Sequence, residues 1–181
     1  MIKYGWLFDS KRCIECRACE AACKQWNGVP TGVQVRYRVV HTLEKGAFPH
    51  VRTEALSMSC NHCANASCVR VCPTQALRRR DDGIVLVRED ACVGCGLCAQ
   101  FCPFDGLKLN PAKRKMEKCT MCADRIDAGL QPACASVCPT KALTWGPWDL
   151  ISGRGAESTE HFAVTWTSPA IRFVTETWSN A

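Results

Sequence analysis

The sequence lacks any long apolar run. No stretch of about 18 apolar residues occurs that could span a bilayer, so we expect no direct membrane span. The first residues, MIKYGWLFDSKRC, contain neither a basic segment followed by an apolar stretch nor a twin-arginine pair. Those features mark export signals. We therefore expect a cytoplasmic protein.

Apolar residues other than cysteine are also scarce. The apolar share of 47% includes the sixteen cysteines among 181 residues. Without them roughly 38% remains, which is little for a self-sufficient core. Either disulfides or metal centres must therefore help to hold the fold together. Because disulfides persist in oxidising compartments, the missing export signal favours metal ligation.

The sixteen cysteines form four groups of four with none left over. Each group opens with C-x-x-C and closes with C-x-x-x-C, and only the middle spacer varies. A proline follows the last cysteine in groups two to four, whereas Lys24 follows it in group one. The groups are Cys13, Cys16, Cys19 and Cys23; Cys60, Cys63, Cys68 and Cys72; Cys92, Cys95, Cys98 and Cys102; and Cys119, Cys122, Cys134 and Cys138.

The flanks of these groups repeat as well. CVRVCPTQAL at 68–77 matches CASVCPTKAL at 134–143, and self-similarity of this kind indicates a duplicated unit. We expect an α+β fold made of a duplicated bacterial-ferredoxin-like domain, with short strands and helical turns around four clusters. The double domain should span 1–145, its outer half being 1–50 plus 111–145 and its inner half 51–110.

Group three reads CVGCGLCAQFCP, the bacterial ferredoxin pattern C-x2-C-x2-C-x3-C-P. Three closely spaced thiolates hold three corners of one iron–sulfur cube, and the fourth cysteine of such a run ligates a neighbouring cube. Gly94 and Gly96 allow the tight bend that turns N–H groups toward the sulfurs. Four copies of the pattern predict four [4Fe-4S] clusters.

Two other interpretations of the cysteines are weaker. Zinc sites also use C-x-x-C pairs, but without the C-x-x-x-C-P closure, and a disulfide framework fits poorly with the expected compartment. His62 lies between Cys60 and Cys63. Because the cysteine set beside it is complete, we expect His62 to lie behind the ligands or at the surface. The other histidines should be surface or interface residues: His41, His50 and His161.

The formal charge of +6 and pI near 8.6 do not require a nucleic-acid partner. An oxidised [4Fe-4S] core with four thiolates adds roughly −2, so four clusters absorb the basic excess. No motif interleaves aromatic and basic residues as nucleic-acid binding modules do. We therefore expect no nucleic acid.

Strand-like patterns occur between the groups. YGWLFD (4–9), VQVRYRVV (33–40) and GIVLVRED (83–90) are predicted strands. Short helical turns should follow the closures, in PTQALRRR and PTKAL, and the charged residues 78–82 should form a solvated turn.

The segment 146–181 contains no cysteine. It either packs back on its own domain or docks on a partner subunit through its aromatic residues, which are Trp148, Phe162, Trp166, Phe173 and Trp178.

The chain resembles the four-cluster iron–sulfur (beta) subunits of the dimethyl sulfoxide reductase and formate dehydrogenase superfamily. The likeness lies in YGWLFDSKRCIECRACEAACKQWN, SMSCNHCANASCVRVCPTQAL, DACVGCGLCAQFCPF and KCTMCADRIDAGLQPACASVCPTKAL, which together cover roughly 4–145. The eleven-residue spacer of group four is especially typical of this superfamily.

The resemblance implies a nested ligand assignment, in which group one exchanges its last cysteine with group four, and group two with group three. Cluster one would use Cys13, Cys16, Cys19 and Cys138, and cluster two Cys23, Cys119, Cys122 and Cys134. Cluster three would use Cys60, Cys63, Cys68 and Cys102, and cluster four Cys72, Cys92, Cys95 and Cys98.

The resemblance also implies the function. The protein would have no catalytic site and would relay electrons to or from a large molybdenum- or tungsten-pterin catalytic subunit. A further electron-accepting subunit, whether flavin, quinone-linked or iron–sulfur, fits the same arrangement, as does export of the folded complex on the signal of a partner. The alternatives are a subunit of a hydrogenase or carbon monoxide dehydrogenase, a free polyferredoxin, and a zinc-stabilised binding module.

Three cations stand beside ligands in the sequence. Arg17, Lys24 and Lys118 could raise cluster potentials locally, because nearby charge is one determinant of these potentials. The simpler expectation is that each is an ordinary surface cation.

Overall fold

The computed structural model describes residues 3–163 and 166–175. Short strands and helices are mixed along the chain, so the predicted α+β class is confirmed. The strands are β1 (Tyr4–Asp9), β2 (Arg38–Lys45), β3 (Arg52–Ser59), β4 (Leu77–Arg79), β5 (Val85–Val87), β6 (Leu107–Asn110), β7 (Lys115–Lys118), β8 (Leu143–Pro147) and β9 (Ile171–Val174). The helices are α1 (Ala18–Trp26), α2 (Ser67–Arg70), α3 (Leu97–Gln100), α4 (Ala123–Asp127), α5 (Ala133–Ser136) and α6 (Trp148–Ile151), and a 3₁₀ turn covers Ser10–Arg12.

A three-stranded sheet joins segments that are far apart in the sequence. Its order is β8-β1-β9, with β8 antiparallel and β9 parallel to the central strand. Trp6 lies beside Trp145 in this register, and Phe8 lies between Leu143 and Phe173. Both faces of β1 are covered, which is why its residues are buried without alternation. The strand predicted at 4–9 is confirmed.

Three antiparallel pairs, β2–β3, β4–β5 and β6–β7, form the other sheets of the described residues. The strand predicted at 33–40 was wrong in position, since the strand begins at Arg38 and continues to Lys45. Its buried face therefore holds Arg38 and Val40, because a strand exposes alternate residues to opposite faces. The strand predicted at 83–90 exists but is shorter, and its partner is β4.

The helical turns predicted after the closures were wrong. The PTQAL and PTKAL segments form tight turns in which Gln75 and Lys141 have φ of 52° and 56°, and each turn leads directly into a strand. The solvated turn predicted at 78–82 was also partly wrong. Its first residues belong to β4, and Arg80 pairs with Asp82 at 3.0 Å and Asp127 at 2.6 Å.

Two apolar cores lie around the cysteines. The first contains Trp6, Phe8 and Phe173 together with thiols that come mostly from groups one and four. The second contains Leu77 and Leu107 together with thiols of groups two and three. Cysteine side chains are thus part of the core, consistent with the low apolar content of the rest of the sequence.

The described part of the segment 146–181 packs on the domain. Phe173 in β9 is buried beside Phe8 of β1, and the Phe162 ring stacks on Phe104 with centroids 4.7 Å apart, whereas Trp166 is 59% exposed. Trp178, one of the aromatics singled out for docking, lies outside the described residues. No helix within 3–163 and 166–175 is long and apolar enough to cross a bilayer.

Candidate iron–sulfur centres

The ligand loops of groups one and three have the same backbone conformation. Gly94 and Gly96 have φ of 69° and 79°, and a Cβ on Gly94 would lie 2.3 Å from the Arg114 carbonyl oxygen. Glycine is therefore required at position 94. The matching residues of group one, Glu15 and Arg17, have φ of 54° and 55°. Both loops wind tightly, as the C-x-x-C-x-x-C spacing predicts.

A helix carries the third cysteine of every group. Cys68, Cys98 and Cys134 lie in α2, α3 and α5, and the fourth cysteine follows each of these helices. In group one the helix continues through the fourth cysteine, Cys23, to Trp26. This extension is possible because Lys24 has the backbone N–H that proline lacks.

The thiols of the first proposed set lie together, although Cys138 comes from the far end of the cysteine-rich region. Burial raises the pKa of Cys13, and the charges of Cys138 and Cys16 add to the rise. Burial likewise raises the pKa of Cys19, with a smaller contribution from Cys13. All four thiols line one small cavity. Such mutual effects occur between charges that are close in space.

The second set brings Cys23 of group one into group four. Burial raises the pKa of Cys23, and the nearby thiols of Cys119, Cys134 and Cys122 raise it further. The Asn27 amide lies 3.8 Å from the sulfur of Cys23. The same amide lies 4.0 Å from the sulfur of Cys122, so Cys23 lies near group four although it belongs to the group-one segment.

The third set combines group two with the last cysteine of group three. Burial raises the pKa of Cys63 to about 12, and Cys60 and Cys102 contribute to the rise. The pKa of Cys68 is raised to about 12 by burial and by the same two thiols. Cys102 therefore lies with group two in space.

The fourth set combines group three with the last cysteine of group two. Burial raises the pKa of Cys98 to about 11, and Cys72, Cys92 and Cys95 add to the rise. Cys95 is the exposed member of this set, as Cys16 is in the first set. Each of these two sets thus has one thiol at the protein surface.

Backbone N–H groups point at several of the sulfurs. Burial raises the pKa of Cys72, but hydrogen bonds from Leu77, Thr74 and Ala76 outweigh it, so the net shift is downward. The pKa of Cys138 is lowered in the same way by Leu143, Thr140 and Ala142. Five backbone N–H groups of the described residues lie within hydrogen-bond distance of a cysteine sulfur. The pairs are Ala76 to Cys72 (3.2 Å), Met121 to Cys119 (3.3 Å), Met116 to Cys92 (3.4 Å), Gly106 to Cys102 (3.4 Å) and Leu143 to Cys138 (3.5 Å).

These thiols fit thiolate-ligated [4Fe-4S] clusters. All sixteen cysteines are free and belong to the described residues, and N–H···S hydrogen bonds stabilise the anionic sulfur that iron requires. Within the described ranges no three His, Cys, Asp or Glu side chains converge on a site for a single metal ion.

Two buried cations lie among the thiols. Arg38 is 2% exposed and was not singled out in the sequence, because its strand was placed in the wrong register. Burial lowers the pKa of Arg38, but the charges of Cys134, Cys119, Cys19 and Cys23 outweigh this and the net shift is upward. Lys118 is 3% exposed, so the expectation of a surface cation was wrong.

The other two cations behave differently. Arg17 has a half-exposed side chain and pairs with Glu20 at 3.5 Å, which agrees with the surface expectation. Lys24 donates from Nζ to the carbonyl oxygens of Pro30 at 2.7 Å and Val35 at 2.8 Å. Lys24 therefore anchors the segment that follows α1.

His62 is buried in this region. Its Nδ1 accepts a hydrogen bond from the Val85 N–H at 3.0 Å, so Nδ1 carries no proton and the neutral ring is protonated at Nε2. Burial, together with the charges of Lys118 and Arg38, lowers its pKa well below the usual value. His62 thus lies inside the protein beside the ligands. His41, His50 and His161 are exposed.

Comparison with known proteins identifies this arrangement. Residues 51–147 match the 4Fe-4S dicluster domain family, and residues 10–28 match the 4Fe-4S binding domain family. The protein belongs to the 4Fe-4S dicluster family. Members of this family carry iron–sulfur centres, so the zinc and disulfide interpretations are set aside.

The similar proteins include named subunits of reductases. The sequence is 46% identical over 151 residues to the thiosulfate reductase electron transfer subunit PhsB of Salmonella typhi, covering 81% of this protein and 77% of PhsB. It is 38% identical over 155 residues to the B subunit of anaerobic dimethyl sulfoxide reductase from Escherichia coli K12, covering 81% and 75%. It is also 42% identical over 150 residues to protein NrfC of the same strain, covering 82% and 67%.

This dicluster-family protein is an electron-transfer subunit of a reductase-type complex and not the catalytic subunit. Its cofactors are four [4Fe-4S] clusters, in agreement with the sixteen cysteines. When bound, each cluster supplies one-electron transfer. The side chains around it provide the sulfur ligands, the N–H donors and the buried charges described above.

Proposed function

We propose that this protein relays single electrons to or from a molybdenum- or tungsten-pterin catalytic subunit of the dimethyl sulfoxide reductase, formate dehydrogenase or aldehyde oxidoreductase type. The observation that carries the proposal is the 46% identity to a protein named as the electron transfer subunit of thiosulfate reductase. A cytoplasmic location is part of the proposal, with export on the signal of a partner as the other possibility.

The proposed ligand sets are the nested ones. Cluster one takes the first three cysteines of group one with Cys138, and cluster two takes those of group four with Cys23. Clusters three and four exchange Cys102 and Cys72 between groups two and three. The mutual charge effects support this assignment, because each set contains a thiol whose pKa is raised by at least two other members.

The proposed domain division is an outer half of 1–50 plus 111–145 and an inner half of 51–110, related by duplication. The second apolar core, which gathers thiols of groups two and three, supports the inner half. The equivalent turns after Cys72 and Cys138 support the duplication, because they have matching hydrogen-bond donors and the same positive φ. We also propose that the segment 146–181 contacts the partner subunit, a role for which the exposed Trp166 is suited.

Purification of the native complex tests the proposal. A large subunit containing a pterin cofactor should co-purify with this protein, which should contain about sixteen irons and as much acid-labile sulfide per molecule. The same purification under conditions that dissociate the complex serves as the control. Recovery with a nickel-containing hydrogenase or a carbon monoxide dehydrogenase subunit, or as a free monomer, would contradict it.

A further inference from the structure

Arg38 places a positive charge in the interior of the protein, where it is 2% exposed. Its guanidinium donates to the hydroxyls of Ser57 at 3.1 Å and Ser59 at 2.9 Å, and its central carbon lies 4.6 Å from the centre of a Trp6 ring. The Nε atom has no hydrogen-bond partner among the residues that the structure describes. Among residues 3–163 and 166–175, no acidic side chain forms an ion pair with Arg38.

The contacts of Arg38 reach two of the proposed ligand sets. The Ser57 hydroxyl that accepts its hydrogen bond lies 3.8 Å from the sulfur of Cys19, a member of the first set. Burial raises the pKa of Cys134, a member of the second set, and the nearby charge of Arg38 opposes that rise. Arg38 therefore lies between the ligands of clusters one and two.

Lys118 lies near the second and third ligand sets, as Arg38 lies near the first and second. Its Nζ donates to the backbone oxygen of Cys119 at 2.7 Å, and Cys119 belongs to the second set. No acidic side chain in the described ranges forms an ion pair with Lys118. The neighbouring Glu117 pairs with Lys113 instead.

The partner of Lys118 in the β6–β7 pair is Leu107. Its neighbour Gly106 donates its N–H to the sulfur of Cys102, a member of the third set. Burial raises the pKa of Cys68, of the same set, and the charge of Lys118 opposes that rise. Lys118 therefore lies between the ligands of clusters two and three.

An unpaired buried cation is costly unless another negative group offsets it. A cluster with four thiolates is such a group, and it gains one further negative charge on reduction. A fixed positive charge nearby stabilises the reduced state more than the oxidised one. The protein interior screens charge poorly, so this difference in stabilisation raises the reduction potential of the cluster.

We propose that Arg38 and Lys118 are positioning residues that raise the reduction potentials of the clusters beside them, Arg38 those of clusters one and two and Lys118 those of clusters two and three. Cluster two receives both charges. In the fourth set, burial, backbone hydrogen bonds and neighbouring thiols dominate the effects on Cys72 and Cys98. No hydrogen bond of Arg38 or Lys118 within the described residues reaches a cysteine of the fourth set, so the transition of cluster four serves as the reference. The inference rests on the ligand sets proposed above.

Charge-removing and charge-keeping variants in the complete complex test the inference. Arg38→Met and Lys118→Met remove the charge with a similar side-chain length, while Arg38→Lys and Lys118→Arg retain it. Each complex is analysed for iron and titrated potentiometrically with EPR detection. Cys138→Ser and Cys72→Ser, which alter clusters one and four, identify the transitions of those clusters.

We expect Arg38→Met to shift two transitions, including that of cluster one, to more negative potential and to leave the transition of cluster four unchanged. Lys118→Met should shift two transitions and leave those of clusters one and four unchanged. One transition, that of cluster two, should shift in both methionine variants. The charge-keeping variants should recover most of the shift. Equal shifts of all four transitions, or no shift in a fully loaded protein, would overturn the inference.

Failed assembly is also informative. If a methionine variant lacks clusters while its charge-keeping counterpart contains about sixteen irons, the positive charge acts on the clusters themselves, which supports the placement that the inference requires. If both variants of a pair lose iron, the side chain has a structural role and the inference is wrong for that residue. An incorrect ligand assignment is distinguishable, because the two cysteine variants would then alter other transitions than expected.

Discussion

The hydroxyl oxygen of Thr74 lies 3.7 Å from the sulfur of Cys72. Thr140 and Cys138 repeat this relationship at 3.9 Å in the other half of the sequence. In both places the threonine follows a proline and precedes a residue of positive φ, so the turn brings a hydroxyl and backbone N–H groups toward one sulfur. Hydrogen bonds to sulfur are one of the determinants of cluster potential.

We expect Thr74→Val to lower the reduction potential of cluster four, because valine keeps the side-chain shape but has no hydroxyl to stabilise the sulfur anion. The shift should be modest, since the backbone donor Ala76 remains at 3.2 Å. Potentiometric EPR titration of the complex measures it. Thr140→Val is the matched control and should affect cluster one instead. The same transition responding to both variants would contradict the prediction.

Cys23→Ser should damage cluster two and leave the other three ligands of group one holding cluster one. The reason is the position of the Cys23 thiol among Cys119, Cys122 and Cys134. Iron analysis with EPR distinguishes the outcomes. Cys19→Ser, in the same helix, is the control and should affect cluster one. Loss of the cluster-one signal alone in Cys23→Ser would refute the nested pairing.

Removal of iron should unfold most of the protein. Thiols occupy both apolar cores, and without iron many of them would remain as buried groups held by no ligand bond. Metal binding supplies folding free energy in such small domains. Far-UV circular dichroism and hydrogen exchange of the chelator-treated protein measure the change, with the untreated protein as control. A compact apoprotein with native protection would argue against this view.

Phe173→Ala should destabilise the cluster-loaded protein by about 3–5 kcal/mol. The ring is 1% exposed and packs on Phe162, so its removal leaves a cavity beside the β1–β9 pair. Denaturant titration followed by loss of cluster absorbance measures the free energy of unfolding. Phe48→Ala is the control, because Phe48 is 93% exposed and its loss should change stability by less than about 0.5 kcal/mol. Equal effects of the two substitutions would contradict the prediction.

Local spacing explains which features were predictable. The C-x-x-C-x-x-C loops require only neighbouring residues to bend, and the positive φ of Gly94 and Gly96 agrees with that expectation. The β1 strand was also predictable from its composition. The turns after Cys72 and Cys138 were misjudged as helical, because the pattern does not reveal that Gln75 and Lys141 adopt positive φ.

The odd closure of group one is explained only by the structure. In the sequence, Lys24 stands where the other three groups have proline, and the pattern gives no reason for the difference. In the structure α1 continues past Cys23 to Trp26, and Lys24 anchors the following segment through two backbone carbonyl groups. The other three groups, whose fourth cysteine is followed by proline, end their helices before that cysteine.

The amino-acid sequence by itself determined the cluster type and the electron-transfer role and predicted the cysteine ligands, because iron–sulfur ligation needs cysteines at short fixed spacings. Only the tertiary structure decided which side chains surround those ligands. Lys118 was expected to be a surface cation and Arg38 was not singled out in the sequence, but both are buried. The reason is physical, since burial depends on strand register and on packing between distant segments, and neither is encoded in local spacing.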